Sequence, residues 1–412
     1  MKIQSIEITN YKAFLGTHIL SVGSNNVFIY GENGSGKSSL YYALKDFFQS
    51  SIVTIDLAQL GNSFVKPETQ GKVAIKVTFK PNGNGQNQAH AYLFDTRQND
   101  TCKADDTSIR DGNKLKSFIT YKHLLAIHHI KKDQAINLFD LLVNGVLKHF
   151  KYSLTNGKEL GELWNEVEQT IARSTGKEYP INKKRSDVNA AIKVFNEAFG
   201  ELFKPDSPEY ILTHAKPILD QFKHNIEIKL NFPQVRQTAD YTALEGAKVL
   251  VDLRYAGKPI EKPNLFLNEA RLSSIALSIY LGMIKRHVQG IPCKILFLDD
   301  VFMGTRYCQS LAFVGYSWNR IPRLPGFITT YDKPWFEYAR GFLEQKSGWK
   351  TMEFYSQICD VVYLKTTNAP HGYYIMKWNK IKFNNGIEIP VIFDYPDLIA
   401  KAEKHLKQCD YK

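Results

Sequence analysis

The stretch Asn26-Val27-Phe28-Ile29-Tyr30-Gly31-Glu32-Asn33-Gly34-Ser35-Gly36-Lys37-Ser38-Ser39-Leu40 decides the fold class. Val27–Tyr30 form an apolar run of the kind expected in a buried strand. Beyond Ser39, Leu40, Ala43, Leu44 and Phe47 recur at helical spacing. Between strand and helix stands G-x-x-x-x-G-K-S, a pattern whose backbone N–H groups cradle phosphates at a helix N-terminus. Gly34 and Gly36 let the backbone fold around a phosphate, and Lys37 brings positive charge to the β- and γ-phosphates. The Ser38 hydroxyl is a Mg2+ ligand in such loops. Gly31, Asn33, Ser35 and Ser39 complete the loop, so the expected ligand is ATP with Mg2+. A glycine-rich turn with no ligand has no need of both the strand and the helix at these offsets.

Outward from the loop, Lys2–Thr9 alternates apolar and polar residues (Ile3, Ile6, Ile8), which is strand periodicity, and a second strand follows near His18–Val22. Residues 71–95 alternate again, through Val73, Ile75, Val77 and Phe79, then Ala91, Leu93 and Phe94. The turn Pro81-Asn82-Gly83-Asn84-Gly85 between them predicts a hairpin. Asn99–Gly112 is polar and reads as a loop, whereas apolar residues from Lys116 to Phe150 recur at helical spacing. Residues 155–222 form a separate helical stretch with candidate helices at Leu160–Ile171, Val188–Phe203 and Pro208–Phe222. No heptad is sustained there, which excludes a long coiled coil but not a short helical hairpin. Lys183-Lys184-Arg185 reads first as a solvated helix start and second as a contact to nucleic-acid backbone. Strands resume at Asn225–Phe232 and Lys248–Tyr255.

A second functional segment lies far downstream. Lys294-Ile295-Leu296-Phe297-Leu298-Asp299-Asp300 is a continuous apolar strand ending in two acids. Ligands sit at the carboxyl ends of such strands in a parallel sheet. Asp299 then holds Mg2+ through water, and Asp300 orients or deprotonates the attacking water. Upstream, Leu267-Asn268-Glu269-Ala270-Arg271-Leu272-Ser273-Ser274 opens a helix with Asn268 as its N-cap. Downstream, Gly326-Phe327-Ile328-Thr329-Thr330-Tyr331-Asp332 reads as another buried strand, which sets Thr330, Tyr331 and Asp332 beside the same site.

Of 412 residues, 43% are apolar and 13% aromatic, enough for a real core and against wholesale disorder. No run approaches the ~18 apolar residues of a membrane span, and Met1-Lys2-Ile3-Gln4 does not open a signal peptide. The five cysteines are scattered and lack paired metal spacing, which fits reduced thiols in the cytoplasm. A net charge of +12 favours polyanionic partners such as DNA. No nuclease or nucleophile constellation is evident, and His128-His129, adjacent on an expected helix, cannot aim both rings at one metal.

These elements, in this order, resemble the ABC-type ATPase heads of the SMC, RecF, RecN and OLD group. Lys2-Ile3…Asn10-Tyr11-Lys12-Ala13-Phe14 matches the start of those heads, and Asn33 with Ser38-Ser39 matches their form of the phosphate loop. Leu267–Leu272 occupies the place of the L-S-G-G-[QE] signature, and Tyr331-Asp332 that of the switch histidine and its aspartate. The resemblance implies an α/β P-loop head, a mixed sheet flanked by helices, with an inserted α-helical subdomain. Its domains would be an N-terminal lobe at 1–114, a helical insertion at 115–222 and a C-terminal lobe at 223–412. It further implies head-to-head homodimers in which Asn268 and Glu269 of one subunit meet the ATP on the other. Lys12 joins the nucleotide contacts, and Tyr331 joins Lys37 and Asp300 as a catalytic residue.

The departures matter. Asn268 and Ala270 stand for serine and glycine, Asp300 for glutamate and Tyr331 for histidine. A shorter carboxylate and a phenol that cannot act as a base at neutral pH imply slow hydrolysis. Closely similar variants occur in compact ATPases of bacterial antiphage systems (Septu-like and retron-linked), which work beside a nuclease or toxin subunit. The expected function is therefore a DNA-associated ATPase switch in phage defence or DNA repair. The alternative is a scaffold that binds ATP with little turnover and controls a toxin or nuclease partner.

One segment departs from the pattern. Thr305–Gly326 lacks helical periodicity where the family places Leu-Asp and an amphipathic helix. Codons can be chosen for Thr305–Pro325 so that reading one nucleotide later gives LDIANRLPLLDILGIEFPDYR, which restores both features. Compensating frameshifts are thus expected in the gene, and its nucleotide sequence decides the matter. Asp394–Leu398 is expected to begin a helix through Leu406, after which relatives continue with a further helical segment.

Overall fold

The structure, a computed structural model, describes residues 1–65, 72–80, 89–128, 136–174, 181–222, 224–239, 242–288, 290–302, 310, 314, 325–359 and 387–394. The chain opens with β1 (Lys2–Thr9), β2 (Thr17–Ser21) and β3 (Asn26–Gly31), and α1 (Lys37–Gln49) follows the glycine loop. β4 (Ala74–Lys80) and β5 (His90–Asp95) pair antiparallel, as the alternation predicts, while the hairpin's turn lies outside the described residues. β1 to β5, without β3, form an antiparallel sheet in the order β2-β1-β4-β5. A register shift between Ile3 and Ser5 explains how Ile3 and Ile6, three residues apart, are both buried with Ile8.

The region 99–150 differs from its sequence reading. α2 (Ser108–Lys114) begins inside the expected loop, and the expected long helix is broken. In its place are β6 (Phe118–Thr120), α3 (Tyr121–His128) and a π-helical turn at Leu141–Val146, distorted at Gly145 (φ −100°, ψ −114°). The physical cause is tertiary. Asn137 bridges Leu250, and Leu138 N donates to Val249 O at 2.9 Å, so strand-like pairing wins over local helical periodicity. His129 lies outside the described residues.

The helical stretch follows expectation, as α4 (Leu160–Ser174), α5 (Ile181–Gly200) and α6 (Ile211–Leu219). Lys183-Lys184-Arg185 falls inside the first turns of α5. Next come β7 (Ile226–Asn231), β8 (Arg236–Gln237), β9 (Leu244–Glu245), β10 (Leu250–Tyr255) and β11 (Lys258–Pro259), with β11-β10-β7 forming a small sheet. α7 (Pro263–Phe266) precedes α8 (Glu269–His287), whose N-cap is Asn268 as expected. The chain then runs through β12 (Leu296–Asp299), β13 (Gly326–Thr330), α9 (Lys333–Leu343), β14 (Trp349–Cys359) and β15 (Ile387–Asp394). Of Thr305–Gly326 only Ser310, Val314, Pro325 and Gly326 are described, and the helix expected after Asp394 lies outside the described residues.

The chain divides into two compact units. The first comprises Met1–Arg110, Pro292–Asp300 and Pro325–Lys412. Its central strands run β15-β14-β3-β13-β12, with β14, β3, β13 and β12 parallel and β15 antiparallel at the edge. β3, β12 and β13 are almost wholly buried, which is why they read as unbroken apolar runs. Helices flank this sheet. Tyr41 of α1 meets Phe297 edge-on at 5.3 Å, and Phe28 of β3 packs on Trp335 and Phe336 of α9 at 4.9 and 5.0 Å.

The second unit comprises Asp111–Ile291 and Val301–Leu324. An aromatic cluster joins its elements. Phe139 meets Trp164 of α4 at 4.9 Å, and Phe199 of α5 meets Phe232 at 4.8 Å. α6 and α8 approach so closely that a Cβ on Gly282 would lie 2.8 Å from Ala215 Cα. Among the described residues, no helix is long and apolar enough to cross a membrane, and no three His, Cys, Asp or Glu side chains group to hold a metal ion.

Candidate nucleotide-binding site

The site grows from the end of β3. Gly34 and Gly36 have φ of 89° and 95°, a left-handed backbone that only glycine adopts without strain. Gly31 is needed for a different reason, since a Cβ there would collide with Ser35 Oγ and lie 2.9 Å from Lys37 Cγ. The loop closes on itself through Ser35 N donating to Glu32 O at 3.1 Å. Lys37 Nζ lies across it, donating to Gly31 O at 2.6 Å and Glu32 O at 3.1 Å. Asn33 stands exposed at the rim.

Two observations bear on whether a phosphate fits. α1 begins at Gly36 with no side-chain cap and no acid in its first turn, so its N-terminal N–H groups are left for an external acceptor. Ser35 Oγ is fully buried with no hydrogen-bond partner, an arrangement that costs free energy unless a ligand completes it. Burial lowers the Lys37 pKa, although Asp300, Asp299 and Glu32 oppose the shift.

The downstream acids meet the loop across 261 positions of sequence. Ser38 Oγ donates to Asp299 Oδ2 at 3.3 Å, and Thr329 Oγ1 donates to Asp299 Oδ1 at 2.5 Å. The neighbouring strands place the threonine there, with Asp299 of β12 in register with Thr329 of β13. Thr329 has no motif of its own, and only the strand register reveals it. Asp300 sits just beyond the strand at φ 54°. Its pKa is pushed up to about 6, chiefly by burial and further by Asp299, against the pull of Lys37 and of a backbone hydrogen bond. That bond comes from Tyr331 N to Asp300 Oδ1 at 3.0 Å. The Tyr331 side chain itself is 42% exposed, so its link to Asp300 runs through its main chain. Asp332 caps α9 by accepting from Trp335 N at 3.0 Å.

Lys12 and Ser39 occupy the flank of the loop. Lys12 Nζ stands 4.4 Å from the centre of the Tyr42 ring, and Ala13 N donates to Ser39 Oγ at 3.4 Å. Tyr11 OH donates to Asp46 Oδ2 at 2.5 Å, tying the segment after β1 to α1. Tyr11 belongs to the opening motif, but nothing in the sequence points to this clamp, because Asp46 belongs to no recognised spacing. In the second unit, Asn268 and Glu269 are exposed at the start of α8, with Asn268 Oδ1 accepting from Arg271 N at 3.0 Å. The amide nitrogen of Asn268 is the donor that remains on that side chain.

A strand, a glycine loop and a helix that present N–H groups, a lysine and a serine–aspartate pair are an arrangement suited to a nucleotide's phosphates. The AAA ATPase domain family matches residues 1–247. The chain belongs to that family. Among solved structures, it resembles the Smc head domain of Pyrococcus furiosus, bound to the C-terminal domain of ScpA, with a TM-score of 0.53 at 11% identity. That match covers 98% of this chain and 99% of the Smc chain. A second Smc head, bound to the C-winged helix domain of ScpA, gives a TM-score of 0.46 at 10% identity over 97% of this chain and 100% of that one. At such identities the likeness concerns fold alone, and the fold is that of an SMC/RecF-like ABC-type ATPase head. No curated protein matches the chain. In this AAA ATPase domain protein the glycine loop lies between β3 and α1.

Proposed function

We propose that the chain binds ATP with Mg2+ at the phosphate loop and hydrolyses it slowly, as a dimeric, DNA-associated switch in phage defence or DNA repair. The observation that carries the catalytic part is the Ser38–Asp299–Thr329 chain, which presents two oxygen ligands at the mouth of the loop. An all-oxygen donor pair suits a hard cation, so Ser38 and Asp299 would hold Mg2+, directly or through water. When bound, that ion neutralises charge on the phosphates. Lys37 supplies the second positive charge, and the uncapped N-terminus of α1 supplies N–H donors. Asp300 accepts the proton of the attacking water. With a pKa near 6 it is ionised at pH 7 yet more basic than an ordinary aspartate.

Tyr331 acts through its main-chain N–H, which holds the Asp300 carboxylate in place. Asn268, exposed at the start of α8, would meet the γ-phosphate held by a second copy. Glu269 lies on the same exposed first turn of α8 and would join Asn268 in that contact. The partner subunit, a nuclease or toxin, and the antiphage setting rest on the sequence resemblance. DNA association rests on the +12 charge together with that resemblance.

Steady-state ATPase assays of the full chain, Lys37→Ala and Asp300→Asn, with and without duplex DNA, test the reading. Turnover lost in both variants and stimulated by DNA in the parent supports it. Tight ATP binding with no turnover in the parent favours the scaffold that controls a toxin or nuclease. Direct DNA contact predicts an affinity that falls steeply with salt in a binding titration.

A further inference from the structure

The segment that leaves β1 is strained on both sides of one buried ring. Asn10 and Lys12 have φ of 51° and 47°, the left-handed region that few residues other than glycine adopt. Asparagine tolerates it through local hydrogen bonds, and here its side chain accepts from Gly16 N at 2.8 Å and donates to Lys72 O at 3.3 Å. Lysine has no such compensation of its own. Its main chain is held from outside, with Lys12 N donating to Leu60 O at 3.0 Å and Asn62 Nδ2 donating to Lys12 O at 2.6 Å. Strained backbone persists only where its surroundings over-determine it, and such strain gathers at ligand sites.

Tyr11, between the two, is the anchor. Its side chain is wholly buried, and its hydroxyl donates to Asp46 Oδ2 at 2.5 Å. Asp46 is half-buried on α1, and burial is the largest influence on its carboxyl, raising its pKa. Filling the core does not require this pair. A phenylalanine at position 11 would occupy the same space with no oxygen to satisfy, and no carboxylate would have to be drawn out of water. The residues that follow reach the start of α1. Ala13 N donates to Ser39 Oγ at 3.4 Å, and Lys12 Nζ lies 4.4 Å from the centre of the Tyr42 ring, one helical turn beyond Ser38. Lys45 Nζ stands 6.0 Å from the same ring. Among the described residues the Lys12 ammonium is in no ion pair; Asp46 attracts it, but an oxygen of that carboxylate is engaged by Tyr11.

We propose that Tyr11 and Asp46 are positioning residues for nucleotide binding: their hydrogen bond ties the 10–13 segment to α1 and holds Lys12 in the strained backbone that aims its ammonium at the phosphates of ATP. The inference rests on the reading of Lys12 as a nucleotide contact. Neither Tyr11 nor Asp46 touches the nucleotide itself. Without the hydroxyl, Asn10 and Lys12 relax toward ordinary backbone angles and the lysine leaves the flank of α1. Ordering it again then falls to ATP, which weakens binding.

The test measures the Kd of AMP-PNP with Mg2+ for the full chain by calorimetry. Lys12→Ala is expected to weaken binding about tenfold, the loss of one charge-assisted contact. Tyr11→Phe, which removes one oxygen, is expected to weaken it about fivefold, and the double variant no further than Lys12→Ala alone. Asp46→Ala should match Tyr11→Phe, and Asp46→Asn, which keeps an oxygen for the hydroxyl, should recover most of the loss. Circular dichroism and Tm check that each variant folds. Binding by Tyr11→Phe or Lys12→Ala equal to that of the parent overturns the proposal. Losses that simply add in the double variant overturn it as well, because a clamp that only supports the core acts without regard to Lys12. A parent chain that binds no AMP-PNP removes the nucleotide reading itself, whereas a parent that binds, with variants that bind equally, removes this proposal alone.

Discussion

On the proposed mechanism, Asp300 concentrates the chemistry of the site in one residue. It holds a left-handed φ of 54°, which aspartate tolerates better than most residues, and its carboxylate is kept basic by burial. Replacing it with asparagine keeps the shape and the acceptor for Tyr331 N but removes the proposed base. Turnover should fall about 10²–10⁴-fold, with ATP affinity retained, as kcat and Kd measurements would reveal. In the parent, kcat should rise with pH through about 6, because only the deprotonated carboxylate accepts a proton. The same shift has a sign in stability. A pKa raised from 3.8 to about 6 gives a contribution present at low pH and lost as pH rises through 6. Asp300→Asn should therefore raise Tm at pH 8 and leave it nearly unchanged at pH 4. The gain is at most about 3 kcal/mol, and less after solvent screening. A Tm that falls at pH 8 would show that the charge is stabilised by its surroundings instead.

At the scale of elements, close approach is the recurring device. Gly31→Ala forces a methyl group onto Ser35 and Lys37, so ATP binding should be lost while the circular dichroism of the chain stays that of the parent. Gly282→Ala drives α8 away from α6 and should cost about 1–3 kcal/mol in urea unfolding. Asn268→Ala removes the cap of α8, worth about 1 kcal/mol, and on the proposed role also weakens ATP-dependent association. Nearly every strand and helix that carries the site is legible from periodicity, since β3, β12 and β13 are buried on both faces and therefore read as apolar runs. The exception is 99–150, where residues at helical spacing are drawn into β6 and into pairing with Val249 and Leu250. A single-sequence pattern does not register a partner 112 positions away.

For the whole molecule, the proposed switch makes one further prediction. Asp300→Asn, which keeps ATP without turnover, should elute as a dimer in size-exclusion chromatography with ATP and Mg2+ and as a monomer without them. A monomer under both conditions would remove the head-to-head arrangement. The sequence by itself placed a glycine loop between a buried strand and a helix, and an apolar strand that runs to Asp299 with Asp300 next in the chain. Those features depend on local backbone needs and on burial, and both leave marks on neighbouring residues. Only the tertiary structure decided which partners those groups acquire. Thr329 reaches Asp299 because β12 and β13 run in register, Tyr331 meets Asp300 through its main chain, and Tyr11 donates to Asp46. Each of these contacts joins segments whose closeness follows from packing. Packing is a property of the folded whole that no spacing along the chain records.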